Sequence, residues 1–228
     1  MTAPSSSTLK AIVLLAMSVS LAADNVPEPQ VQDLGGGRYR IGSIEVDKEA
    51  RKFTVPGTII ALADGAPIEF LAISRGGPKD YESLVELDVS AVEFNLACIL
   101  IGLDGDKAVR PQYHFDPVEV TGDVVDVRIS WLDEEGEREM EIERLLKDTT
   151  DAADHVWVYT GSTFLPDERY LAELMGTLIG VVHDPGSIIQ HQRGMGLGNY
   201  GAVTMDPDTV PPGGTPVKVT VFSLSPDP

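Results

Sequence analysis

From Asp123 to Ile142 the side chains keep a period of two, the repeat of a pleated strand. Val125, Val127, Ile129 and Trp131 fall on one face, with Asp126, Arg128 and Ser130 on the other. After the turn DEEGE the pattern resumes, with Glu137, Glu139 and Glu141 on one side and Arg138, Met140 and Ile142 on the other. A hairpin that is apolar on one face and charged on the other belongs to an antiparallel sheet with one face in water.

Other segments extend this pattern. GSIEV, the turn DKEA and RKFTV alternate as a hairpin does, and TIIALA, PIEFLAI and SLVELDV follow as extended runs separated by Asp64-Gly65 and Gly76-Gly77-Pro78, so a meander is expected. ERLLKD reads as a helical turn, while HVWVYTG, TLIGVV and TPVKVTVFSL read as further strands. The main helix starts at Ser90, where Glu93 completes a capping box, and stops at Gly102. Val92, Phe94, Leu96, Ala97, Ile99, Leu100 and Ile101 leave it almost no polar face, which predicts cover on most sides and a place at the centre of the core. The expected fold is a single α+β domain over residues 38–228, mainly antiparallel β-sheet packed on one buried helix.

Ahead of that domain, Lys10 is the only charge before an apolar run over residues 11–22, too short to cross a bilayer. With Ser20 and Ala22 as small residues before the cut, the run reads as a secretory signal peptide over 1–22, followed by a flexible leader over 23–37. The full chain has 36 acidic against 17 basic residues, a net charge of -19 that becomes -20 once Lys10 is removed. Such a chain repels a phosphate backbone, so nucleic acid and anionic membrane surfaces are excluded as partners. The expected place is secreted or periplasmic, with an unknown protein or small ligand as partner.

Few residues point to chemistry. The single cysteine, Cys98, rules out an internal disulfide, and its apolar neighbours make it a buried thiol rather than a nucleophile. GLGNYG has the G-x-G-x-x-G spacing, but no strand precedes it and no helix can follow it, so it reads as a glycine loop and no cofactor is expected. His183, Asp184 and His191 could share a metal if the Asp-Pro-Gly turn folds the segment back, with Met195 or His114 as a further ligand; the alternative is that His183 ends a strand and His191 is solvated. Ser83 could serve as a nucleophile with His183 as base and Asp184 as its orienter, and Ser162 is another serine to consider.

The series PIEFLAISRGGPKDYESLVELDVSA, NLACILIGLDGD, VRISW, VWVYTGS and YLAELMGTLIGVVHDP resembles the YdjY domain family over residues 57–189. The resemblance implies an exported bacterial protein and carries over no catalytic residue set. In that family the segment matching residues 79–84 reads Lys, a variable residue, His, Glu, Ser, Leu. This chain keeps Lys79, Glu82, Ser83 and Leu84 but has Tyr81 at the histidine position. A phenol of pKa about 10 thus replaces a group titrating near 6.5, which weakens metal binding or proton transfer there. Lys79, Tyr81, Glu82 and Ser83 remain candidate ligand or partner contacts, with a Lys79–Glu82 pair expected at the start of the strand. The function expected is a non-enzymatic binding or accessory role. The alternatives are a metal-assisted or Ser-dependent hydrolase using Ser83, His183 and Asp184, or a divalent-cation-binding protein.

Overall fold

The computed structural model describes residues 29–148, 155–197 and 199–225; the expected signal peptide and residues 23–28 of the expected leader lie outside them. Strands occupy Val31–Gly35 (β1), Arg38–Ile41 (β2), Ile44–Asp47 (β3), Lys52–Ile59 (β4), Phe70–Ser74 (β5) and Ser83–Leu87 (β6), followed by the helix Ala91–Leu100 (α1). Next come Asp123–Asp133 (β7), Gly136–Glu141 (β8), Leu146–Asp148 (β9) and Trp157–Tyr159 (β10). The short helix Leu171–Met175 (α2) precedes Thr177–Gly180 (β11), Ile189–His191 (β12), Val203–Met205 (β13) and Pro216–Ser223 (β14).

The long alternating segment is β7, and its apolar set is inside: Val127 and Ile129 are fully buried and Val125 nearly so. Burying each such side chain contributes about 1.5–3 kcal/mol. β8 pairs with β7 as the hairpin pattern requires, but it stands off the main circuit and is mostly exposed.

The remaining strands correct the expected architecture. In place of a sheet packed on one buried helix, eight strands close on themselves in the order β4, β14, β7, β10, β12, β11, β5, β6 and back to β4. Closure depends on β4 changing partners along its length. Residues 52–54 pair with β3, while Gly57, Thr58 and Ile59 pair with Leu87, Glu86 and Val85 of β6. The switch falls at Pro56 and Gly57, two residues that normally end or interrupt a central strand. Here Gly57 is required sterically: a Cβ at this position would lie 2.5 Å from the Glu86 carbonyl oxygen.

The first four strands pair in chain order and antiparallel, as the expected meander requires, and the departure begins after β4. β5 and β6 are parallel neighbours, joined by residues 75–82, a return shorter than the dozen or so residues that parallel connections usually take. β11 and β12 are also parallel. Ordered pairing reaches into the expected leader, where exposed β1 runs antiparallel to β2.

Helix α1 begins as its sequence indicates, with Ser90 Oγ accepting from the Glu93 N–H and Glu93 accepting in turn from the Ser90 N–H. Gly102 follows it at a φ of +86°. The helix lies against the barrel by one face only: Ala91, Phe94, Ala97 and Cys98 are buried, and Phe94 meets Phe53 edge-on at 5.2 Å. Ile99 on the opposite side is 52% exposed, so the expectation of cover on most sides is also corrected. The buried face of the helix joins the same hydrophobic core as the barrel strands. No helix among the described residues is long and apolar enough to cross a membrane.

Candidate functional site

The return from β5 to β6 brings the segment 79–83 onto the barrel. Lys79 Nζ donates to Glu82 Oε1 at 2.6 Å and lies 5.8 Å from the centre of the Phe70 ring. Glu82 is buried, and the Ser83 hydroxyl donates to the Lys79 carbonyl oxygen at 2.6 Å, so Lys79, Glu82 and Ser83 are held within the same short segment. Burial pulls the Lys79 ammonium down, but its hydrogen bonds to Glu82 and Tyr81 outweigh this and hold it above the usual lysine range. The Tyr81 ring is mostly exposed.

Glu69, just before β5, lies beside this segment, its N–H donating to the Glu82 carbonyl oxygen. The Glu69 carboxylate is 5% exposed and takes His114 Nε2 at 3.1 Å, while His114 Nδ1 lies 3.0 Å from Asp184 Oδ2. Asp184 is also buried, and its other oxygen accepts from the Gly186 N–H at 2.8 Å. The hydrogen bonds to Asp184 and Glu69 raise His114 to about 9, so at neutral pH the ring is an imidazolium that donates from both nitrogens. This three-residue unit ties the 104–122 segment to the barrel.

The residues proposed for hydrolysis do not join one another. Ser83 bonds to Lys79, Asp184 to His114 and Gly186, and no hydrogen bond links Ser83 to His183 or Asp184 among the described residues. His183 is fully buried, with Nδ1 2.7 Å from the Asp116 carbonyl oxygen and Nε2 3.1 Å from that of His191. Those carbonyls occupy both positions from which His183 could bind a metal. Ser162 donates to the Pro185 carbonyl oxygen at 3.0 Å.

His191 differs from the expected solvated residue. It is 1% exposed, and neither ring nitrogen has a hydrogen-bond partner among the described residues. Burial, followed by the charges of His155 and His183, lowers it to about 4, which keeps the ring neutral at pH 7. Leaving a buried polar group unsatisfied costs about 1–3 kcal/mol. Among the described residues no three or more His, Cys, Asp or Glu side chains form a metal-holding group.

Two clefts border α1. A polar cleft beside the 74–78 loop is lined by Arg75, Asp88, Ser90, Glu93 and Glu173, with Arg75 paired to Asp88 at 2.8 Å. Along the outer face of α1 runs a groove that is almost wholly apolar, formed by Val92, Leu96, Ile99, Phe164 and Tyr170. Its polar groups are turned inward: Tyr170 donates to the Gly161 carbonyl oxygen, and Asn95 accepts from Tyr159 at 2.8 Å. Phe164 is 66% exposed and rests 5.1 Å from Tyr170, although a large apolar side chain is usually covered.

Sequence reasoning missed Glu69 as part of a polar unit and gave His114 only a secondary metal role. The available signal was the acid in PIEFLAI, a charge within an otherwise apolar run, which demands a partner when the run is buried. The groove was signalled by the absence of a polar face on α1, which the reading assigned to the core.

The family described as the YdjY domain matches residues 44–222. No curated protein and no solved structure matches the chain.

Proposed function

The chain belongs to the YdjY domain family, and within that family we propose that it is an exported, non-enzymatic binding or accessory protein whose contact surface is the apolar groove on α1. The observation that carries this reading is the exposure of Ile99 and Phe164 on one continuous apolar lining. Exposed patches of that kind on a folded chain mark contact sites. The reactive-looking groups support the same reading, because Lys79, Glu82 and Ser83 are engaged with one another, as are Glu69, His114 and Asp184. The partner is an apolar segment of another protein outside the cytoplasm, and the acidic surface keeps nucleic acid away.

Cleavage after Ala22 is part of the proposal, and the mass of the protein recovered from cells tests it. Binding is tested with a fluorescent apolar probe such as bis-ANS. One probe site is expected, and Ile99→Glu or Phe164→Ser should remove it without lowering the melting temperature. Equal probe binding by these variants and the parent protein rejects the groove as the contact surface.

A further inference from the structure

Apart from the groove, we propose that His155 and His191 form a bis-imidazole site for a borderline transition-metal ion such as Zn2+, Ni2+ or Cu2+. The sheet register creates the site. Trp157 of β10 lies directly opposite His191 of β12, and His155, two residues earlier, falls on the same face, diagonal to His191. The two rings are 5.6 Å apart between centres and inclined at 61°. An ion about 2.0–2.1 Å from one nitrogen of each ring would stand about 3 Å from each centre, and a tetrahedral angle then places the centres about 5 Å apart. The observed separation agrees with that geometry.

The nitrogens are available for it. Both of His191 and Nδ1 of His155 are buried without a hydrogen-bond partner among the described residues. A polar side chain that is 1% exposed and wholly unbonded calls for a ligand. Trp157, its ring centre 5.3 Å from that of His191 and inclined to it at 77°, packs against the His191 ring. His155 is only half-buried and gives the ion a route in. With two protein ligands the ion's remaining positions would be filled by water entering with it, and the Asp148 carboxylate lies near enough to act electrostatically on His191. The metal site expected from the sequence at His183, Asp184 and His191 thereby moves, keeping only His191.

Titration calorimetry on untagged, chelator-stripped protein with Zn2+ and Ni2+ tests the proposal. One ion per chain is expected, with affinity falling about tenfold or more in His155→Gln and again in His191→Gln. Because replacing buried His191 can unfold the chain, the His155 variant is checked by circular dichroism. The paramagnetic resonance spectrum of the Cu2+ form provides a second readout, in which hyperfine coupling to two imidazoles is expected. Unchanged affinity in His155→Gln, loss in His114→Gln instead, or no saturable binding overturns the assignment.

Discussion

His114 Nδ1 lies 3.0 Å from Asp184 Oδ2, so an imidazole from the 104–122 segment is fixed to a carboxylate buried just beyond β11. Asp184, and then Glu69, raise His114 to about 9, above its usual value of about 6.5. A raised histidine contributes stability that is complete below about pH 6.5 and fades as pH rises through about 9. Denaturation midpoints should therefore fall across that window, and His114→Gln should flatten this part of the profile. A variant that keeps the full slope places the effect elsewhere.

The Lys79–Glu82 pair should behave as a unit. Lys79→Met leaves a carboxylate that is 4% exposed without its cation, and a loss of about 3 kcal/mol is expected. Lys79→Met combined with Glu82→Leu removes both charges and should recover most of that loss. A double variant as unstable as Lys79→Met alone would show that the pair is not what holds the segment.

Barrel closure rests on the absence of a side chain at Gly57. In Gly57→Ala the new methyl meets the Glu86 carbonyl oxygen at 2.5 Å, and forcing β4 and β6 apart should cost about 2 kcal/mol. Chemical denaturation should show a lower midpoint with an unchanged slope. Parent-like stability would mean the two strands can separate there without penalty.

Cys98 reports on folding rather than function. It is completely buried, and desolvation holds its thiol well above the usual range. A disulfide-exchange reagent should leave it untouched in native buffer and modify it fully in denaturant. Faster modification is expected in Gly57→Ala, because opening becomes more frequent. Rapid modification of the native parent chain would contradict the packing of α1.

Features carried by neighbouring residues were legible in the sequence. The period of two in Val125, Val127, Ile129 and Trp131 gave β7, and the Ser90–Glu93 spacing gave the start of α1. The Lys79–Glu82 contact was within reach of the same reasoning, since three residues separate the partners. The groove was not, because an apolar face reads the same whether a barrel covers it or leaves it open. Ile99 and Cys98 are adjacent in sequence and opposite in burial.

By itself, then, the sequence determined where strands alternate, where the helix is capped and that the chain is strongly acidic, all properties set by adjacent side chains and by composition. Only the tertiary structure decided that β4 would meet β6 at Gly57 and Leu87, that Glu69 and Asp184 would meet at His114, and that His155 would face His191. The reason is physical: each of these contacts joins segments far apart in sequence, and they meet only through strand pairing that no local pattern specifies.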